Sequence, residues 1–476
     1  MDKNNLLEKS FEKIKNYLQN QGKKDQTTIK YKEPEELTEK INFSIPASGV
    51  SEDEFLRLID HYLEYSVRTG DKQFINQLYS GFNLPAFIGE MLTIATNTSM
   101  STYEVAPVAT LIEKEMINLM NSYTGYSEGE GIFVSGGSNG NLLAMFSARN
   151  HFLPDSRFEG YDRKEQLKAF VNDQAHYSFD TAANLLGIGA SNVVKVKSDE
   201  NGKMIPSELE KEIKQSLENG EKPFFVVATC ATTLLGAYDP IEEIADICDK
   251  YNIWFHADGA FGGSLLLSDE HRKLMQGLER TDSFVWDPHK IMNIPLICSA
   301  LLVKRKGTLK HNITDINTDY LYHQLDDNED LGEKSIQCGR RVDAVKLWFA
   351  WKYFGLEGYQ RRIDNLIEMA RYAEEQVIQN SSLEMLVARQ SFAVCFRYRP
   401  SYNADLNAFN LKLRECLRKK GKTIVNFSHI GETLTIRFVA TNGDLEKKDL
   451  DQFFENLLSE AQQLEQSKYA IKDAES

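Results

Sequence analysis

Three segments of the sequence carry residue types that could act together on one ligand, and each lies directly after an apolar run. The first is Ser135–Asn141, a glycine-rich stretch where a helix is predicted to begin. Exposed N–H groups at the positive end of a helix dipole bind phosphate well. The segment matches neither the P-loop nor the dinucleotide-binding pattern. A tight turn that needs glycine only for its positive φ is therefore the alternative interpretation.

The second segment is His256–Gly263, at the end of the apolar run Ile253–Phe255. In an open α/β sheet, an acid at the carboxyl end of a strand points into the crevice where ligands bind, which makes Asp258 a candidate ligand-binding residue. His256 and Asp258 share one face of the strand, so they could also bind a metal. Because no further histidine or cysteine lies at a metal-ligand spacing, we favour a histidine that is hydrogen-bonded within the protein and expect no metal.

The third segment runs from Asp282 to Lys290 and is again an apolar strand that leads into a turn. A lysine beside a histidine and a buried strand is a candidate for a depressed pKa and for imine chemistry, although a solvated loop lysine is the alternative. A phosphate-binding turn, an acid at a strand end and an amine are together the parts that would hold pyridoxal phosphate. The combination of the three segments therefore favours a pyridoxal phosphate site.

The middle of the chain alternates short apolar runs with amphipathic helical stretches. The runs that predict strands are Gly131–Val134, Ala169–Val171, Val193–Val196, Phe224–Ala228, Trp254–His256, Ser283–Trp286 and Ala300–Val303. The stretches that predict helices between them are Asn141–Asn150, Thr181–Leu186, Ser207–Leu217 and Glu242–Tyr251. This alternation predicts a mostly parallel sheet that is covered on both faces.

Both ends of the chain have a different pattern. Apolar residues at helical spacing predict an amphipathic helix near the N-terminus, and we expect this arm to pack on another surface, such as a second subunit. After a polar loop at about 312–333, a helical stretch extends from Val342 through Ile378. The alternating runs Phe392–Tyr398 and Leu434–Val439, with a helix between them, predict a small α+β domain at the C-terminal end.

Composition excludes several classes of protein. The chain has 70 acidic residues against 55 lysines and arginines, a net charge of −15, which argues against nucleic acid as a partner. Its N-terminal stretch is charged throughout and contains neither the apolar core of a secretory signal nor an apolar run long enough to span a membrane. We therefore expect a cytoplasmic protein with no membrane partner. The six cysteines lie far apart, which predicts small buried hydrophobic residues.

Eight motifs in a fixed order give the sequence a family resemblance. They are Asn76–Leu78 with Gly81, Thr102–Pro107, Ser135–Asn141, His176–Ser178, Gly236–Pro240, His256–Gly263, Asp287–Lys290 and Gln337–Asp343. From about Phe74 onward the chain resembles the group II pyridoxal-phosphate-dependent amino acid decarboxylases, in the branch of glutamate, aspartate and cysteine-sulfinate decarboxylases. The resemblance implies an α/β, aspartate-aminotransferase-like fold (fold type I) with a mostly parallel seven-stranded sheet. It also implies a homodimer, with an N-terminal helical arm and dimerisation segment (1–104), a large cofactor domain (105–345) and a small α+β domain (346–476).

The resemblance also implies roles for individual residues. Lys290 would form the imine with pyridoxal phosphate, and Asp258 would pair with the pyridine nitrogen. The other residues expected around the cofactor are His176 and Ala260 on the two ring faces, Gly137, Ser138 and His289 around the phosphate, and Thr232 nearby. Arg437 would bind the α-carboxylate of the substrate, and Tyr320 would return a proton after decarboxylation, with Tyr322 as the alternative donor. The side-chain pocket would comprise Gln77, Tyr79, Ser99 and Ser101.

Some positions depart from the pattern of the resembled family. Ala231 and Asp287 stand where glycine and asparagine are common, which adds a methyl group to the site and could add a negative charge beside Lys290. Tyr79 with Ser99 is closer to the cysteine-sulfinate and aspartate members of the resembled branch, whereas Ser101 replaces an aromatic residue in all of them. We favour a short acidic L-amino acid as substrate, namely cysteine sulfinate, aspartate or glutamate, and a non-acidic amino acid is the alternative. Gly259 also replaces an alanine.

Two other functions compete with simple decarboxylation. The first is decarboxylation coupled to oxidative deamination, against which Tyr320 argues. The second is a catalytically silent binding protein that has retained the fold, against which the intact Lys290, Asp258 and His176 argue.

Overall fold

The structure is a computed structural model, and it describes residues 3–23, 26–162, 164–313 and 329–474. The helices are α1 (Lys3–Gln19), α2 (Pro34–Lys40), α3 (Glu52–Tyr65), α4 (Leu84–Thr96), α5 (Pro107–Thr124), α6 (Gly137–Phe152), α7 (Ser156–Glu159), α8 (Ser178–Leu185), α9 (Pro206–Glu218), α10 (Ile241–Tyr251), α11 (Thr308–Ile313), α12 (Asp343–Gln379), α13 (Leu406–Lys419) and α14 (Lys447–Ala474). The strands are β1 (Phe74–Ile75), β2 (Glu130–Val134), β3 (Leu167–Asn172), β4 (Val193–Val196), β5 (Lys222–Thr229), β6 (Trp254–Gly259), β7 (Ser283–Trp286), β8 (Ser299–Val303), β9 (Leu383–Met385), β10 (Ala393–Tyr398), β11 (Ile424–Ile430) and β12 (Thr433–Val439).

The chain forms two compact units. The first comprises Met1–Gly81, Met369–Leu386 and Val394–Ser476, and the second comprises Phe82–Glu368 and Val387–Ala393. The sequence boundaries at 104/105 and 345/346 both fall inside the second unit. The division into an arm, a large domain and a small domain therefore stays a prediction.

Within its described residues, the second unit contains a seven-stranded sheet in the order β2-β8-β7-β6-β5-β3-β4. Neighbouring strands from β7 to β4 are parallel, and β8 is antiparallel to both β7 and β2. Every residue of β2, β7 and β8 is buried, as expected when helices cover both faces of a sheet. The mostly parallel sheet that the apolar runs predicted is confirmed, and β8 is its antiparallel exception.

The helix α6 covers the centre of this sheet. It packs on β7, β8 and α8, and the apolar core on this side includes Leu143, Ala144, Phe179, Phe225 and Val285. Because β2 ends at Val134 and α6 begins at Gly137, the glycine-rich turn lies at the edge of the sheet where parallel strands end. The turn is therefore a strand-to-helix connection, as the sequence predicted.

A buried ion pair fixes the loop between α4 and α5. Arg340 Nη1 lies 2.9 Å from Glu113 Oε1, and both side chains are almost completely buried. Arg340 Nη2 donates to the carbonyl of Met100 at 3.2 Å, and the Met100 N–H donates to the Arg340 carbonyl at 3.1 Å. These contacts position Met100, which lies between the predicted substrate residues Ser99 and Ser101.

The first unit joins the two ends of the chain. Its five strands among the described residues have the order β1-β11-β12-β10-β9, and the N-terminal β1 pairs in parallel with β11. The helix α1 packs on α3 of the same chain, where Lys13 pairs with Asp60 at 2.7 Å. The contact joins two helices of the N-terminal arm, so the packing of the arm on a second subunit stays a prediction.

The structure also shows the burial of the cysteines and the length of the apolar helices. Among the described residues, Cys230, Cys248, Cys298 and Cys395 are buried, but Cys338 is exposed, so the cysteines are only partly the buried hydrophobic residues that we expected. In the described part of the chain, no helix is long and apolar enough to cross a membrane.

Candidate active site

A cavity of about 200 Å³ lies in the second unit, at the sheet edge where β5, β6 and β7 end. It is lined by Gly137, Ser138, Asn141, His176, Thr229, Ala231, Thr233, Asp258, Ala260, Phe261, Asp287, His289 and Lys290. Carboxyl ends of parallel strands are the usual ligand site of such sheets. The structure therefore brings together the three segments that the sequence singled out.

The glycine-rich turn presents backbone donors to this cavity. Gly136 has φ of 106°, a left-handed conformation that favours glycine, and α6 begins with the next residue. The N–H groups of Gly137 and Ser138, in the first helical turn, have no intrahelical acceptor. A Cβ on Gly137 would lie only 2.7 Å from Asp287 Oδ2. The turn therefore needs glycine for its conformation and for its close approach to Asp287.

Asp258 is buried at the end of β6 and is held by one donor on each oxygen. The Asn141 amide donates to Oδ2 at 2.9 Å, and the Ala260 N–H donates to Oδ1 at 3.0 Å. A carboxylate oxygen has two lone pairs, so each still has acceptor capacity for a ligand. Asp258 is thus an oriented anionic acceptor on the cavity wall.

His176 follows β3 and reaches the same cavity. The Ser178 N–H donates to its Nδ1 at 3.2 Å, so Nδ1 is the unprotonated nitrogen. Burial lowers the pKa of His176, and the nearby Asp258 carboxylate opposes this shift. At neutral pH the ring is therefore an uncharged surface, which is suited to stacking against a flat ligand.

Lys290 and His289 follow β7, next to Asp287. The Lys290 Nζ lies 3.4 Å from Asp287 Oδ2, and Asp287 is 2% exposed. The His289 Nδ1 lies 2.8 Å from the carbonyl of Cys298 and donates to it, because a carbonyl only accepts. Burial lowers the pKa of His289. Among the described residues, Asp287 Oδ1 has no hydrogen-bond partner, so an unsatisfied oxygen stands beside the phosphate turn and the amine.

The turn at 231–233 contributes two of its three residues to the cavity wall. Thr232, expected near the cofactor, is buried and does not line the cavity, since its hydroxyl accepts the Ala237 N–H at 3.1 Å within a turn. Its neighbours Ala231 and Thr233 line the cavity in its place. Ala231 has φ of 71°, a left-handed conformation that is less favourable for alanine than for glycine. This explains why the resembled family commonly has glycine at this position.

The predicted substrate residues fall in both units. In the first unit, Arg437 of β12 is buried, and its Nη2 donates to the Asn76 carbonyl at 3.1 Å, beside Gln77. Gln77 is exposed, whereas Tyr79 is partly buried and lies 6.2 Å from Phe74, ring to ring. In the second unit, Ser99 and Ser101 lie on the loop fixed by Arg340. Tyr320 and Tyr322 lie outside the described residues.

Several lining residues were not among the predicted site residues. Asn141 and Phe261 were noticed only as parts of motifs, Asp287 was noticed as a departure from the family pattern, and Thr229 and Thr233 were not singled out. A signal existed for Asn141, because it lies in the first turns of the helix that begins at the glycine-rich turn. Among the described residues, no group of three or more His, Cys, Asp or Glu side chains is arranged to hold a metal ion.

The residues present fit pyridoxal phosphate. An amine, an oriented carboxylate, a neutral imidazole and a turn with unused N–H groups line one cavity, and these are the groups that the cofactor's aldehyde, ring nitrogen, ring face and phosphate require. A larger cavity of about 390 Å³ lies at the amino ends of β5 and β6 and contains none of the predicted site residues.

Comparisons with known proteins agree with this chemistry. The chain is 38% identical over 435 residues to the cysteine sulfinic acid decarboxylase of Mus musculus, which covers 88% of each chain. It is 36% identical over 441 residues to the acidic amino acid decarboxylase GADL1 of Homo sapiens, which covers 90% of this chain and 85% of the relative. A crystal structure of mouse CSAD matches with a TM-score of 0.93 and 35% identity, over 97% of this chain and 99% of that chain.

The pyridoxal-dependent decarboxylase conserved domain matches residues 34–399, which is most of the chain. The fold, the cofactor and the decarboxylase family that the sequence motifs indicated are thereby confirmed. The chain belongs to the pyridoxal-dependent decarboxylases and is a pyridoxal phosphate-dependent amino acid decarboxylase.

Proposed function

We propose that this chain removes carbon dioxide from a short acidic L-amino acid, such as cysteine sulfinate, aspartate or glutamate, and releases the corresponding amine. The names of the two relatives, which specify cysteine sulfinic acid and acidic amino acids, support this substrate class. The observation that carries the chemistry is the convergence of Lys290, Asp258 and His176 on one cavity.

Each residue in the cavity has a proposed task. Pyridoxal phosphate, when bound, supplies an aldehyde to which an amine attaches and a ring that accepts the electron pair left by carbon dioxide. Lys290 Nζ provides the amine, and Asp258 keeps a negative charge facing the ring nitrogen. His176 and Ala260 enclose the two faces of the ring. The N–H groups of the turn at Gly137 and Ser138, together with His289, face the phosphate.

Two further residues act on the substrate in this proposal. Arg437 binds the α-carboxylate and so orients the bond that breaks, which its burial in the first unit and its fixed position beside Asn76 support. Tyr320 protonates the α-carbon after carbon dioxide leaves, which its position in the polar loop before Glu333 supports. Gln77, Tyr79, Ser99 and Ser101 surround the acidic side chain of the substrate.

A panel of amino acids tests the substrate. Purified protein with cofactor is given cysteine sulfinate, aspartate, glutamate and tryptophan, and carbon dioxide and amine are both measured. We expect release with an acidic amino acid and little with tryptophan, whereas a preference for tryptophan would contradict the proposal. The Arg437→Lys variant should raise the KM for the preferred amino acid by about tenfold or more, because a fixed bidentate contact is lost.

Covalent attachment is tested separately. Borohydride treatment followed by peptide mass spectrometry should locate the cofactor on Lys290 in the wild type and in Lys222→Ala. Lys222 is a surface control, because its side chain is 48% exposed. The Lys290→Ala variant should lose the label. A label that persists on another lysine would overturn the assignment.

The proton donor has its own readout. In air, the Tyr320→Phe variant should still release carbon dioxide but should yield less amine. Aldehyde and ammonia should appear in its place, because dissolved oxygen takes up the two electrons that are no longer protonated and is reduced to hydrogen peroxide. The Tyr322→Phe variant is the matched control. If Tyr320→Phe gives a normal yield of amine and Tyr322→Phe does not, then Tyr322 is the proton donor. Aldehyde and ammonia from the wild type would instead favour oxidative deamination.

A second copy of this chain is the proposed partner. Leu84, Ile88 and Leu92 of α4 are between 44% and 54% exposed and, at a spacing of four residues, form one apolar face of the helix. On α5, Val108 and Leu111 are also exposed. Sedimentation should give a dimer, and Ile88→Glu should shift it toward monomer, whereas Glu115→Gln on the surface of α5 should not. A wild-type monomer with full activity would refute the proposal.

A further inference from the structure

Five polar side chains form one continuous row behind the cofactor cavity. Trp254, His256 and Asp258 are alternate residues of β6 and therefore point to the same side of the sheet. Ser283 of β7, which is paired in register with His256, bridges Trp254 and His256. Asn141 of α6 bridges His256 and Asp258. The row thus begins at the amino end of the strand and ends at the carboxylate in the cavity.

The hydrogen bonds of this row all have the ordinary length. Trp254 Nε1 lies 2.9 Å from Ser283 Oγ, which lies 2.9 Å from His256 Nδ1. His256 Nε2 lies 3.0 Å from Asn141 Oδ1, and Asn141 Nδ2 lies 2.9 Å from Asp258 Oδ2. No member of the row that lies between the two ends is exposed, since His256, Ser283 and Asn141 are 0%, 0% and 1% exposed.

The direction of donation follows from the chemistry of the end groups. Because a carboxylate only accepts, Asn141 must turn its NH₂ group to Asp258, and the same group also donates to Ser178 Oγ at 3.0 Å. The Asn141 carbonyl oxygen then faces His256, so the His256 Nε2 carries the proton. Trp254 only donates, so the Ser283 hydroxyl hydrogen is directed to His256 Nδ1. Every donor in the row therefore points toward Asp258.

The row is electrically neutral up to its last member. Burial lowers the pKa of His256 to about 4, so its ring is uncharged at neutral pH. Asp258 also interacts with His176, whose pKa is lowered by burial, and with Cys230, whose pKa is raised by burial, so both are uncharged at neutral pH. The carboxylate thus receives aligned dipoles from the row, and none of these three groups brings a positive charge to it.

We propose that Asn141 and His256 are positioning residues that hold the Asp258 carboxylate oriented toward the ring nitrogen of the cofactor. The inference rests on the proposed role of Asp258. The role of His256 is to fix the Asn141 amide, since an amide turned by 180° would present its oxygen to the Asp258 oxygen, acceptor against acceptor. The role of Asn141 is to donate to Asp258 without adding a charge that would compete with the cofactor.

The protonation state of the ring nitrogen is the direct readout, because it does not depend on turnover. Enzyme loaded with ¹⁵N-labelled pyridoxal phosphate is titrated with pH by solid-state nuclear magnetic resonance, which gives the pKa of the nitrogen. The variants are Asn141→Leu, His256→Phe, His256→Gln and Asp258→Asn. Phe preserves the aromatic packing of His256 on Phe225, whose rings lie 5.7 Å apart and nearly parallel, but it has no N–H. Gln restores both an N–H donor and an acceptor.

We expect the proton affinity of the nitrogen to fall about tenfold or more in Asn141→Leu and His256→Phe, because a carboxylate that is no longer held toward the nitrogen stabilises its protonated form less. It should recover in His256→Gln. Trp254→Phe, at the far end of the row, should change the proton affinity least, although it removes side-chain volume that His256→Phe does not remove. If these residues had a purely structural role, the change in proton affinity of each variant would instead increase with its loss of unfolding free energy.

The reference variant separates two kinds of failure. If Asp258→Asn lowers the proton affinity and His256→Phe leaves it at the wild-type value, the row has no positioning role and the inference is overturned. If Asp258→Asn itself has no effect, the proposed pairing of Asp258 with the ring nitrogen is wrong, and the inference falls with it.

Discussion

Gly137→Ala is a sharp test of how closely the phosphate turn is packed. A Cβ at this position would lie 2.7 Å from Asp287 Oδ2 and 3.0 Å from Ala260 Cβ, both shorter than ordinary contacts. Asp287 is buried and held near the Lys290 ammonium, and Ala260 belongs to the segment that follows β6, so neither neighbour is the free end of a long side chain. The added methyl group must therefore displace the wall of the cavity.

The magnitude follows from two opposing effects. Overpacking of a well-packed site costs about 1–3 kcal/mol of unfolding free energy. Replacing glycine by alanine also restricts the unfolded chain, which raises the free energy of unfolding by about 0.4–1 kcal/mol. From the middle of each range, the expected net loss is about 1.3 kcal/mol. The cofactor should also bind more weakly, because Asp287 and Lys290 move with the wall.

Urea unfolding of the cofactor-free protein measures this loss in the right part of the chain. All four tryptophans, Trp254, Trp286, Trp348 and Trp351, lie in the second unit, so their fluorescence reports on that unit. A double-mutant cycle with Asp287→Ala isolates the contact, since most of the loss should disappear in that background. Gly339→Ala is the matched control, because a Cβ there would meet nothing within 4 Å. An equal loss with and without Asp287 would refute the reasoning.

Three further outcomes are expected. Ala231→Gly should raise the free energy of unfolding by about 0.5–1 kcal/mol, because φ of 71° penalises alanine more than glycine; unchanged stability would show that the loop adapts. Arg340→Met should lower it by about 3–5 kcal/mol by leaving the Glu113 carboxylate buried and unpaired, whereas Arg340→Met with Glu113→Leu should recover most of this loss. The pKa of His256 falls from 6.5 to about 4 on folding, so below pH 6.5 only the unfolded chain takes up this proton. Stability should therefore fall by about 3 kcal/mol between pH 6.5 and 4, and this contribution should be absent in His256→Gln when both proteins are unfolded by urea across that range.

The sequence predicted the large sheet and the cavity because both depend on local signals. Continuous apolar runs indicate strands that are buried on both faces, and all seven predicted runs became strands of one sheet. Lys290 and Asp258 follow such runs, and parallel strands bring their carboxyl ends to one edge. Position along the chain was therefore enough to predict that these two residues would share a cavity.

Other features depend on contacts between distant segments, which local patterns do not encode. The two-residue strand β1 has no periodicity of its own and exists only because β11 lies beside it. Asp287 was noticed as a departure from a family pattern, but its unpartnered oxygen beside Gly137 follows from the packing of two segments. Thr232 was expected near the cofactor, and both of its neighbours line the cavity while its own hydroxyl accepts the Ala237 N–H. Spacing along the chain does not distinguish between adjacent residues of a turn.

The pairing of β1 with β11 has a consequence for how the chain is made. Gln73, just before β1, accepts a hydrogen bond from Thr423, which is 350 residues further along the chain. At synthesis rates of about 5–20 residues per second, β1 emerges from the ribosome about 20–70 s before its partner does. The second unit is complete by Ala393 and can fold during this interval, whereas the N-terminal segment must wait with the apolar residues Phe74 and Ile75 uncovered. A nascent chain that stalls before β11 therefore presents a complete second unit together with an N-terminal strand that has no pairing partner.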